Sequence, residues 1–450
     1  MTDRDREHYL QGFGFQKGGS VGGMPCLIPT KEPSDEAWML AWHLFGGQVR
    51  IEAGEQRAFR PANQELVSSE IEDLADGILE RAVVKSASDI HLEPGEHGLH
   101  LRYRLDGHLV AQSDIPRAKR DHLVAHLKIR AGMDIAEKRR PQDGRIRFSA
   151  AGKTVDLRVS TLATRHGEKM VLRLLDKAEI SLAIDDLGFR SDHLTTVKRL
   201  IAAPQGMVLV TGPTGSGKTT TLYSCLMAVR SESLNITTIE DPIEYELDGI
   251  NQTQVKNEIG ITFASSLRTF LRQDPNVIMV GEIRDEEAAK LSMRAALTGH
   301  LVLSTLHTNS AAGAIPRLAE MGVPNHLLAS CLNLLIAQRL LRRLCLSCKQ
   351  PIPSEELGLP ASPTQASEGN PYSPVGCESC SFTGYRGRLG IYEVLAMDET
   401  LRAAVAAGAD LAAITKLARD AGMATLAQEA TRRAWEGLTS RAEVIKETIQ

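Results

Sequence analysis

The chain has 450 residues, of which 42% are hydrophobic and 24% are charged. That length is too great for one ordinary hydrophobic core and predicts about three domains, while the composition excludes a wholly disordered chain. The formal net charge of −4 gives no overall attraction to nucleic acid or to an anionic membrane surface.

The N-terminal region carries the fewest patterns. The charged start, residues 1–7, is not followed by an apolar segment, so we predict no signal peptide. Trp38 and Trp42 lie one helical turn apart, which predicts either a small packed helix face or a docking surface for a partner. We therefore expect residues 1–64 to form a short N-terminal region that is a candidate for partner docking.

The next segment predicts a mixed α/β domain over residues 65–184. Apolar residues at helical spacing in 65–85 predict a helix, and the alternation in 99–107 predicts a strand that ends in a turn. A second helix and further strands are predicted at 117–131, 145–148, 154–160 and 169–175.

This domain is rich in arginine, and three roles fit that composition. The arginines could be solvated strand faces, contacts to nucleic acid, or contacts to a triphosphate, which a planar and permanently charged guanidinium suits well. Aromatic side chains that could stack on bases are scarce here, which disfavours nucleic acid. The residues concerned are Arg139, Arg140, Arg145, Arg147, Arg158 and Arg173.

A phosphate-binding motif lies at the centre of the chain. The apolar run 207–210 predicts a buried strand, residues 212–219 fit G-x-x-x-x-G-K-[ST], and a helix is predicted to follow. Such a loop turns its backbone N–H groups inward, and the start of the helix adds positive potential. The alternative, a glycine-rich turn with an incidental lysine, fits the strand–loop–helix setting less well. The predicted nucleotide-binding residues are Gly212, Pro213, Thr214, Gly215, Ser216, Gly217, Lys218, Thr219 and Thr220.

Two of these residues have more specific predicted roles. Lys218 can reach the β- and γ-phosphates of ATP, and the Thr219 hydroxyl can ligate Mg²⁺. We refer to residues 212–219 as the phosphate loop.

Three further apolar strands are predicted at 235–244, 276–285 and 300–309, each with polar residues at its carboxyl end. Strands that alternate with helices predict a parallel sheet with its site along that edge. The candidate site residues are Glu244, Glu282 and His307, together with Arg268 and Arg272 on a short basic helix. We expect this core to span residues 185–342. The apolar segment 327–341, which polar residues interrupt, predicts a buried helix and not a membrane span.

The chain has seven cysteines, and two C-x-x-C pairs contain four of them. This pattern favours a reducing, cytoplasmic setting and a metal over a disulfide framework. Cys345, Cys348, Cys377 and Cys380 could supply four thiolates to one structural Zn²⁺ in a subdomain of residues 343–388. Redox thiols and unbound cysteines are the alternatives. Residues 389–450 are predicted to form a largely helical C-terminal subdomain.

Several ordered motifs together resemble those of the secretion and pilus hexameric ATPases. They are TIEDPIE at 238–244, RQDP at 272–275, GEIRD at 281–285, TGHLVLSTLHTN at 298–309, ASDIH at 87–91 and MDIAEKRRPQDGR at 133–145. The resemblance extends from about residue 65 to the C-terminus, and residues 1–64 match poorly. Asn276 stands where the family often has Asp, which makes Glu282 the preferred acid for the metal and the water.

The resemblance implies a RecA-like P-loop NTPase core with an upstream PAS-like mixed α/β domain, a zinc-binding insertion and a helical C-terminal subdomain. It also implies that Arg158 and Arg173 are arginine fingers. From its position after a strand next to the phosphate loop, we expect Glu244 to position and deprotonate the attacking water, with the exchange of roles with Glu282 as the alternative. We expect His307 to sense the γ-phosphate, with a structural polar residue at a strand end as the alternative. The implied ligands are ATP, Mg²⁺ and Zn²⁺.

Within the family, the chain most resembles the type II secretion ATPases. It is then expected to be a cytoplasmic homohexamer that hydrolyses ATP to drive pseudopilus assembly and protein export. Its partners would be inner-membrane platform proteins, its membrane association would be indirect, and it would not bind nucleic acid.

Other functions fit parts of the same pattern. A type IV pilus assembly ATPase is the alternative within the family, and retraction ATPases typically lack the paired cysteines. A nucleic-acid helicase or packaging motor shares the phosphate loop and the sheet, but predicts hydrolysis that DNA stimulates. The number of acids and arginines disfavours a nucleotide-binding scaffold without hydrolysis.

Overall fold

The computed structural model describes residues 15–21, 24–29, 50–51, 62–175, 183–360 and 371–448, with side chains from residue 70 onward. The chain divides into two units, Met1–Glu72 and Asp73–Gln450. In the first unit, β1 (Phe15–Val21) and β2 (Met24–Pro29) pair antiparallel, and β3 (Arg50–Ile51) pairs with β2 in parallel. The Trp38 and Trp42 pair lies outside the described residues.

An upstream sheet flanked by helices follows in the chain, and its first helix begins in the first unit and crosses the boundary after Glu72. Its elements are α1 (Ala62–Val84), β4 (Asp89–Pro94), β5 (Gly98–Leu105), β6 (His108–Ala111), β7 (Ile115–Pro116), α2 (Arg117–Arg130), β8 (Gln142–Ala150), β9 (Lys153–Thr164) and β10 (Gly167–Leu175). The strands pair antiparallel in the order β6-β5-β4-β10-β9-β8, and β7 pairs with β5. The helices and strands that the sequence predicts for this region are therefore confirmed.

Buried and more exposed residues alternate along β9, and this alternation shows to which face of the sheet its arginine points. On β9, Val155, Leu157 and Val159 are buried and pack in a core with α1 and α2. Because successive side chains of a strand point to opposite faces, Arg158 lies on the other face. Its register partners are Arg173 on β10 and Arg145 on β8, so three guanidinium-bearing residues form a row across neighbouring strands.

The main sheet and its helices follow in the chain. After a 3₁₀ turn (Ile184–Leu187), the elements up to the cysteine region are α3 (Ser191–Ile201), β11 (Gly206–Thr211), α4 (Lys218–Val229), β12 (Ile236–Glu240), β13 (Asn251–Gln254), α5 (Phe263–Phe270), β14 (Val277–Val280), α6 (Glu286–Leu297), β15 (Leu301–Leu306), α7 (Ala314–Glu320), α8 (Asn325–Cys331) and β16 (Leu332–Leu344). The cysteine region holds β17 (Gln350–Pro351), α9 (Ser354–Leu357) and β18 (Tyr372–Ser373), and β19 (Tyr385–Ala396) follows it.

The strand order of the main sheet is β13-β12-β14-β15-β11-β16-β19 within the described ranges. All neighbours are parallel except β16 and β19, which are antiparallel. The predicted parallel sheet is thus confirmed, with an antiparallel strand added at one edge. Because β19 pairs with β16, the sheet includes residues on both sides of the cysteine region.

The prediction of a single buried helix over residues 327–341 was wrong. Helix α8 ends at Cys331, and β16 runs from Leu332 to Leu344. A strand that is covered on both faces has a nearly continuous apolar sequence and lacks the alternation that distinguishes a strand from a buried helix. Leu334, Leu335 and Ile336, three successive residues of β16, are all buried.

The C-terminal part of the described chain is helical, in agreement with the sequence. It comprises α10 (Glu399–Ala406), α11 (Leu411–Asp420), α12 (Leu426–Trp435) and α13 (Arg441–Thr448). Apolar residues of these helices, including Leu401, Ile414 and Ala430, join the same core as the main sheet. Among the described helices, none combines the length and the hydropathy that crossing a bilayer requires.

Candidate nucleotide-binding site

The phosphate loop connects β11 to α4. Strand β11 is buried throughout, and α4 begins at Lys218 with Gly217 as its N-terminal cap residue. Gly217 has a φ of 87°, in the left-handed region that favours glycine. A Cβ on Gly212 would lie 2.5 Å from the carbonyl oxygen of Gln338, so the loop leaves no room for a larger residue there.

The loop presents groups that suit a phosphate. Lys218 Nζ donates to the carbonyl oxygens of Gly212 and Pro213 at 2.8 and 3.0 Å, which places the ammonium over the start of the loop. Burial lowers the pKa of Lys218, and the carboxylate of Glu282 opposes that effect. Ser216 Oγ is buried and has no hydrogen-bond partner among the described residues. Thr219 is exposed in the first turn of α4, a position from which its hydroxyl could ligate a cation.

Two residues of β16, Gln338 and Arg339, lie against the phosphate loop and α4. Neither is among the site residues that the sequence predicts. Gln338 Oε1 accepts a 2.7 Å hydrogen bond from Thr221 Oγ1 on α4. Arg339 is only 2% exposed, and its Nη1 would lie 3.2 Å from a Cβ on Gly212. Burial lowers the pKa of Arg339. The sequence signal was present, because Gln338 and Arg339 are polar residues inside an apolar run.

Glu282 and His307 follow β14 and β15, at the same edge of the sheet. His307 Nε2 lies 3.5 Å from Glu282 Oε2, and Arg284 forms an ion pair with the same carboxylate. Burial alone would raise the pKa of Glu282, but the hydrogen bond and charge of Arg284, with His307, hold it below its ordinary value. Glu282 is therefore ionised at neutral pH and can serve as a ligand of Mg²⁺.

Glu244 lies in the segment after β12 and contacts the upstream sheet. Arg158 Nη1 is 3.8 Å from Glu244 Oε2, and Arg158 Nη2 donates to the carbonyl oxygen of Ile243 at 3.0 Å. Both side chains are half-buried. The structure thus brings one of the two predicted arginine fingers to the predicted water-positioning acid.

The other predicted arginines contact different partners. Arg173 pairs with Asp89 of β4 at 3.0 Å, within the upstream sheet. Arg268 pairs with Glu287 of α6, and Arg272 Nη1 donates to the carbonyl oxygen of Arg268 at 2.8 Å. In this arrangement these three side chains are held by partners outside the phosphate loop, and their catalytic roles stay predictions.

The four paired cysteines converge at one place. Their sulfurs all lie within 4.8 Å of one another, with Cys345–Cys377 and Cys348–Cys380 at 3.9 Å and Cys377–Cys380 at 3.8 Å. Four sulfurs bound to a tetrahedral Zn²⁺ would be about 3.8 Å apart, given a Zn–S distance of about 2.3 Å. The cluster therefore has the size of a tetrathiolate zinc site.

Backbone groups around the cluster favour a thiolate. The N–H groups of Cys377 and Gly384 donate to Cys380 Sγ, both at 3.2 Å. Burial would raise the pKa of this thiol, but these N–H groups and neighbouring thiols lower it to about 6. Burial and the neighbouring thiols instead raise the pKa of Cys348 to about 11, so the backbone groups favour the thiolate at Cys380 in particular. Thiolates are the form in which cysteine binds a metal, and four convergent cysteine sulfurs are a donor set that fits Zn²⁺.

Comparison with known proteins gives a consistent family. The family model described as "Type II/IV secretion system protein" matches residues 64–446. A type II secretion system protein E of Aeromonas hydrophila is 45% identical over 416 residues, which cover 89% of this chain and 82% of that protein. The type IV pilus assembly ATPase PilB of Myxococcus xanthus is 47% identical, with 83% of this chain and 67% of that protein covered.

Some relatives are much longer than this chain. The PilB of Thermus thermophilus is 45% identical over 393 residues, and the matched part spans 44% of its length. Among solved structures, the pilus retraction motor PilT with bound ADP superposes with a TM-score of 0.58 at 28% identity, covering 83% of this chain and 97% of that one. The Legionella pneumophila ATPase DotB, at 22% identity and a TM-score of 0.60, shares the fold. The family match and these identities together show that the chain belongs to the type II/IV secretion system ATPase family.

Proposed function

We propose that this chain hydrolyses ATP at the phosphate loop and that the hydrolysis powers pseudopilus assembly in type II secretion. The observation that supports it is the shared edge of the main sheet. The parallel strands β12, β14, β15 and β11 are neighbours, and residues that follow them include Glu244, Glu282, His307 and Lys218. Such an edge is where parallel sheets bind nucleotides.

Each residue has a part in the proposed reaction. Lys218 and the loop N–H groups bind the β- and γ-phosphates, and Thr219 with Glu282 would hold Mg²⁺, which neutralises charge that develops on the phosphates. Glu244 orients a water molecule and accepts its proton as the water oxygen attacks the γ-phosphorus. The bond from that phosphorus to the β–γ bridging oxygen then breaks, and ADP and phosphate leave.

Arg158 connects this chemistry to the upstream sheet. Its guanidinium contacts the segment that bears Glu244, and we expect it to reach the γ-phosphate when the upstream sheet closes on the core. Completion of the site by a mobile domain, and release after hydrolysis, would give one stroke per ATP. Assembly into a homohexamer would hold each upstream sheet against a core, and Arg173 would act as a second finger.

The remaining parts of the proposal concern structure and partners. The four cysteines would hold one structural Zn²⁺, residues 1–64 would dock a partner, and inner-membrane platform proteins would recruit the chain from the cytoplasm. The domain limits 65–184, 185–342, 343–388 and 389–450 are part of this proposal. Assembly of a type IV pilus is the second candidate, because relatives named PilB and relatives named type II secretion system protein E have nearly the same sequence identity to this chain.

Two measurements test the function. Phosphate release from ATP by the purified chain separates a motor from a nucleotide-binding scaffold, and the proposal fails if an assembled, folded sample releases none. The same assay with added DNA separates it from a helicase, since strong stimulation by DNA would favour that class. Binding of the purified chain to type II secretion or pilus platform proteins then decides between the two candidates.

A further inference from the structure

A buried tyrosine connects the phosphate-binding helix to the segment that carries Glu244. Tyr223 lies on α4, the helix that begins at Lys218, and its side chain is fully buried. Its hydroxyl donates to Glu240 Oε2 and accepts the backbone N–H of Glu244 at 3.3 Å. One phenol hydroxyl therefore contacts both the end of β12 and the segment that carries Glu244, the proposed general base.

Glu240 is the second member of this network. It is the last residue of β12 and only 3% exposed, an unusual location for a carboxylate. Besides Tyr223, it accepts hydrogen bonds from Thr238 Oγ1 at 2.6 Å and from Gln252 Nε2 at 3.1 Å. All three donors are uncharged, and together they orient the carboxylate and satisfy it.

Gln252, on the edge strand β13, extends the network along the same segment. Its Nε2 also donates to the carbonyl oxygen of Tyr245 at 2.9 Å, and its Oε1 accepts from the N–H of Leu247 at 2.7 Å. Tyr223 accepts a hydrogen bond from the N–H of Glu244, so side chains form hydrogen bonds with three backbone groups between residues 244 and 247. The rings of Tyr223 and Tyr245 add an edge-to-face contact, with centroids 6.1 Å apart.

We propose that Tyr223, with Glu240 and Gln252, is a positioning residue that fixes Glu244 relative to the phosphate-binding lysine. The proposal rests on the proposed function of Glu244 as the base. Because Lys218 and Tyr223 belong to one helix, the contact at Tyr223 transmits the position of the phosphate loop to the base segment. A displacement of about 1 Å in a reacting group can cost about 100-fold in rate, so such an anchor has catalytic value.

The contact between Tyr223 and the segment that carries Glu244 adds to the contact that Arg158 makes from the upstream sheet. Arg158 holds the same segment through Ile243 and Glu244, but it belongs to a different sheet. Tyr223 belongs to the core itself, so its hold on Glu244 does not depend on the position of the upstream sheet. Burial and the Glu240 carboxylate raise the pKa of Tyr223 far above its ordinary value, so the hydroxyl keeps the proton that it donates.

The test replaces Tyr223 by Phe in the full chain, which removes the hydroxyl and keeps the ring. Tyr103→Phe is the matched control, because Tyr103 on β5 is also fully buried and its hydroxyl donates a 2.8 Å hydrogen bond to the carbonyl oxygen of Ile78 on α1. We expect Tyr223→Phe to lower kcat about 10- to 100-fold while the KM for ATP stays within about 3-fold. Tyr103→Phe should change neither, although it also loses a buried hydrogen bond.

A double-mutant cycle shows whether Tyr223 acts through Glu244. In single-turnover assays, Tyr223→Phe should cause little further loss in a Glu244→Gln background, because the group that it positions no longer works as a base. Losses that multiply, a rise in KM alone, or equal losses in both Phe variants would overturn the positioning role. If Glu244→Gln itself keeps wild-type turnover, the base assignment fails and the positioning role fails with it.

A second variant covers the case in which Tyr223→Phe does not fold. Gln252 is half-buried on an edge strand, so Gln252→Ala should be tolerated by the fold. It should lower kcat without changing the KM for ATP, by a smaller factor than Tyr223→Phe. Unchanged kcat in folded Gln252→Ala would contradict the network.

Discussion

Arg158 and Arg173 are directly opposite each other on β9 and β10, yet their guanidinium groups bind acids in different parts of the molecule. Arg173 pairs with Asp89 in its own sheet, whereas Arg158 reaches Glu244 in the segment that follows β12 of the main sheet. Like charges in opposite positions of a sheet repel each other, and a separate acid for each arginine relieves that repulsion. A triphosphate between the two sheets would offer both arginines a shared anion.

We expect Arg158→Ala and Arg173→Ala to bind ATP but to hydrolyse it at least about 100-fold more slowly, since arginine fingers contribute about 10³–10⁵ in rate elsewhere. ATP binding and phosphate release measured on the same samples would show this. Arg147→Ala is a suitable control, because Arg147 is an exposed arginine on the neighbouring strand β8. Turnover within a few-fold of wild type in either finger variant would assign that arginine to the strand surface.

Lys218→Ala should reduce ATP turnover at least about 100-fold, because it removes a cation from the place where charge develops on the phosphates. Phosphate release by folded protein measures the effect. The control is Lys290→Ala, whose lysine forms an exposed ion pair with Glu286 on α6. Near-normal hydrolysis by folded Lys218→Ala would be incompatible with the proposed site.

Glu244→Gln should retain ATP affinity and slow turnover at least about 100-fold, the usual scale for the loss of a general base. Glu282→Gln should instead raise the Mg²⁺ concentration that half-maximal turnover requires, because Glu282 is the proposed metal ligand. Titration of Mg²⁺ in both variants distinguishes the two roles. The assignment is reversed if only Glu282→Gln combines normal binding with lost turnover.

His307→Ala should reduce the ability of the chain to distinguish ATP from ADP, since His307 is the proposed sensor of the γ-phosphate. The ratio of the two dissociation constants is the quantity to compare between wild type and variant. His300→Ala provides a control, because His300 Nδ1 contacts the carbonyl oxygen of Ala295 at the end of α6. Equal ATP and ADP affinities in wild type and His307→Ala alike would argue against a sensor.

The cysteine cluster should contain one Zn²⁺ per chain, which metal analysis of protein purified under reducing conditions would detect. Removing the metal, or replacing Cys377 by Ser, should increase hydrogen exchange near the ends of β16 and β19, because binding energy at such a site is folding energy. Exchange in β4 and β5 should not change. Protein that contains no zinc, with the same exchange near β16 and β19, would contradict the assignment.

Local motifs made much of the fold predictable. The phosphate loop and the cysteine pairs are short segments whose residue types determine their geometry, and the strand–loop–helix arrangement around Lys218 is confirmed. Strand β16 was missed because burial on both faces removes the alternation that identifies a strand. The partners of Tyr223 and Arg173 depend on strand pairing across the fold, and a single sequence does not contain that pairing in its local pattern.

The antiparallel pair β16 and β19 gives the chain a place where its length can vary. Strand β16 ends next to Cys345, and β19 begins soon after Cys380, so the cysteine cluster closes the base of a long hairpin loop. The cost of closing a longer loop rises only slowly with its length, by about 0.6 kcal/mol for each doubling. Residues inserted between Cys348 and Cys377 would therefore leave Gln338 and Arg339 in place beneath the phosphate loop, which makes this segment a site for a fluorophore or an affinity tag.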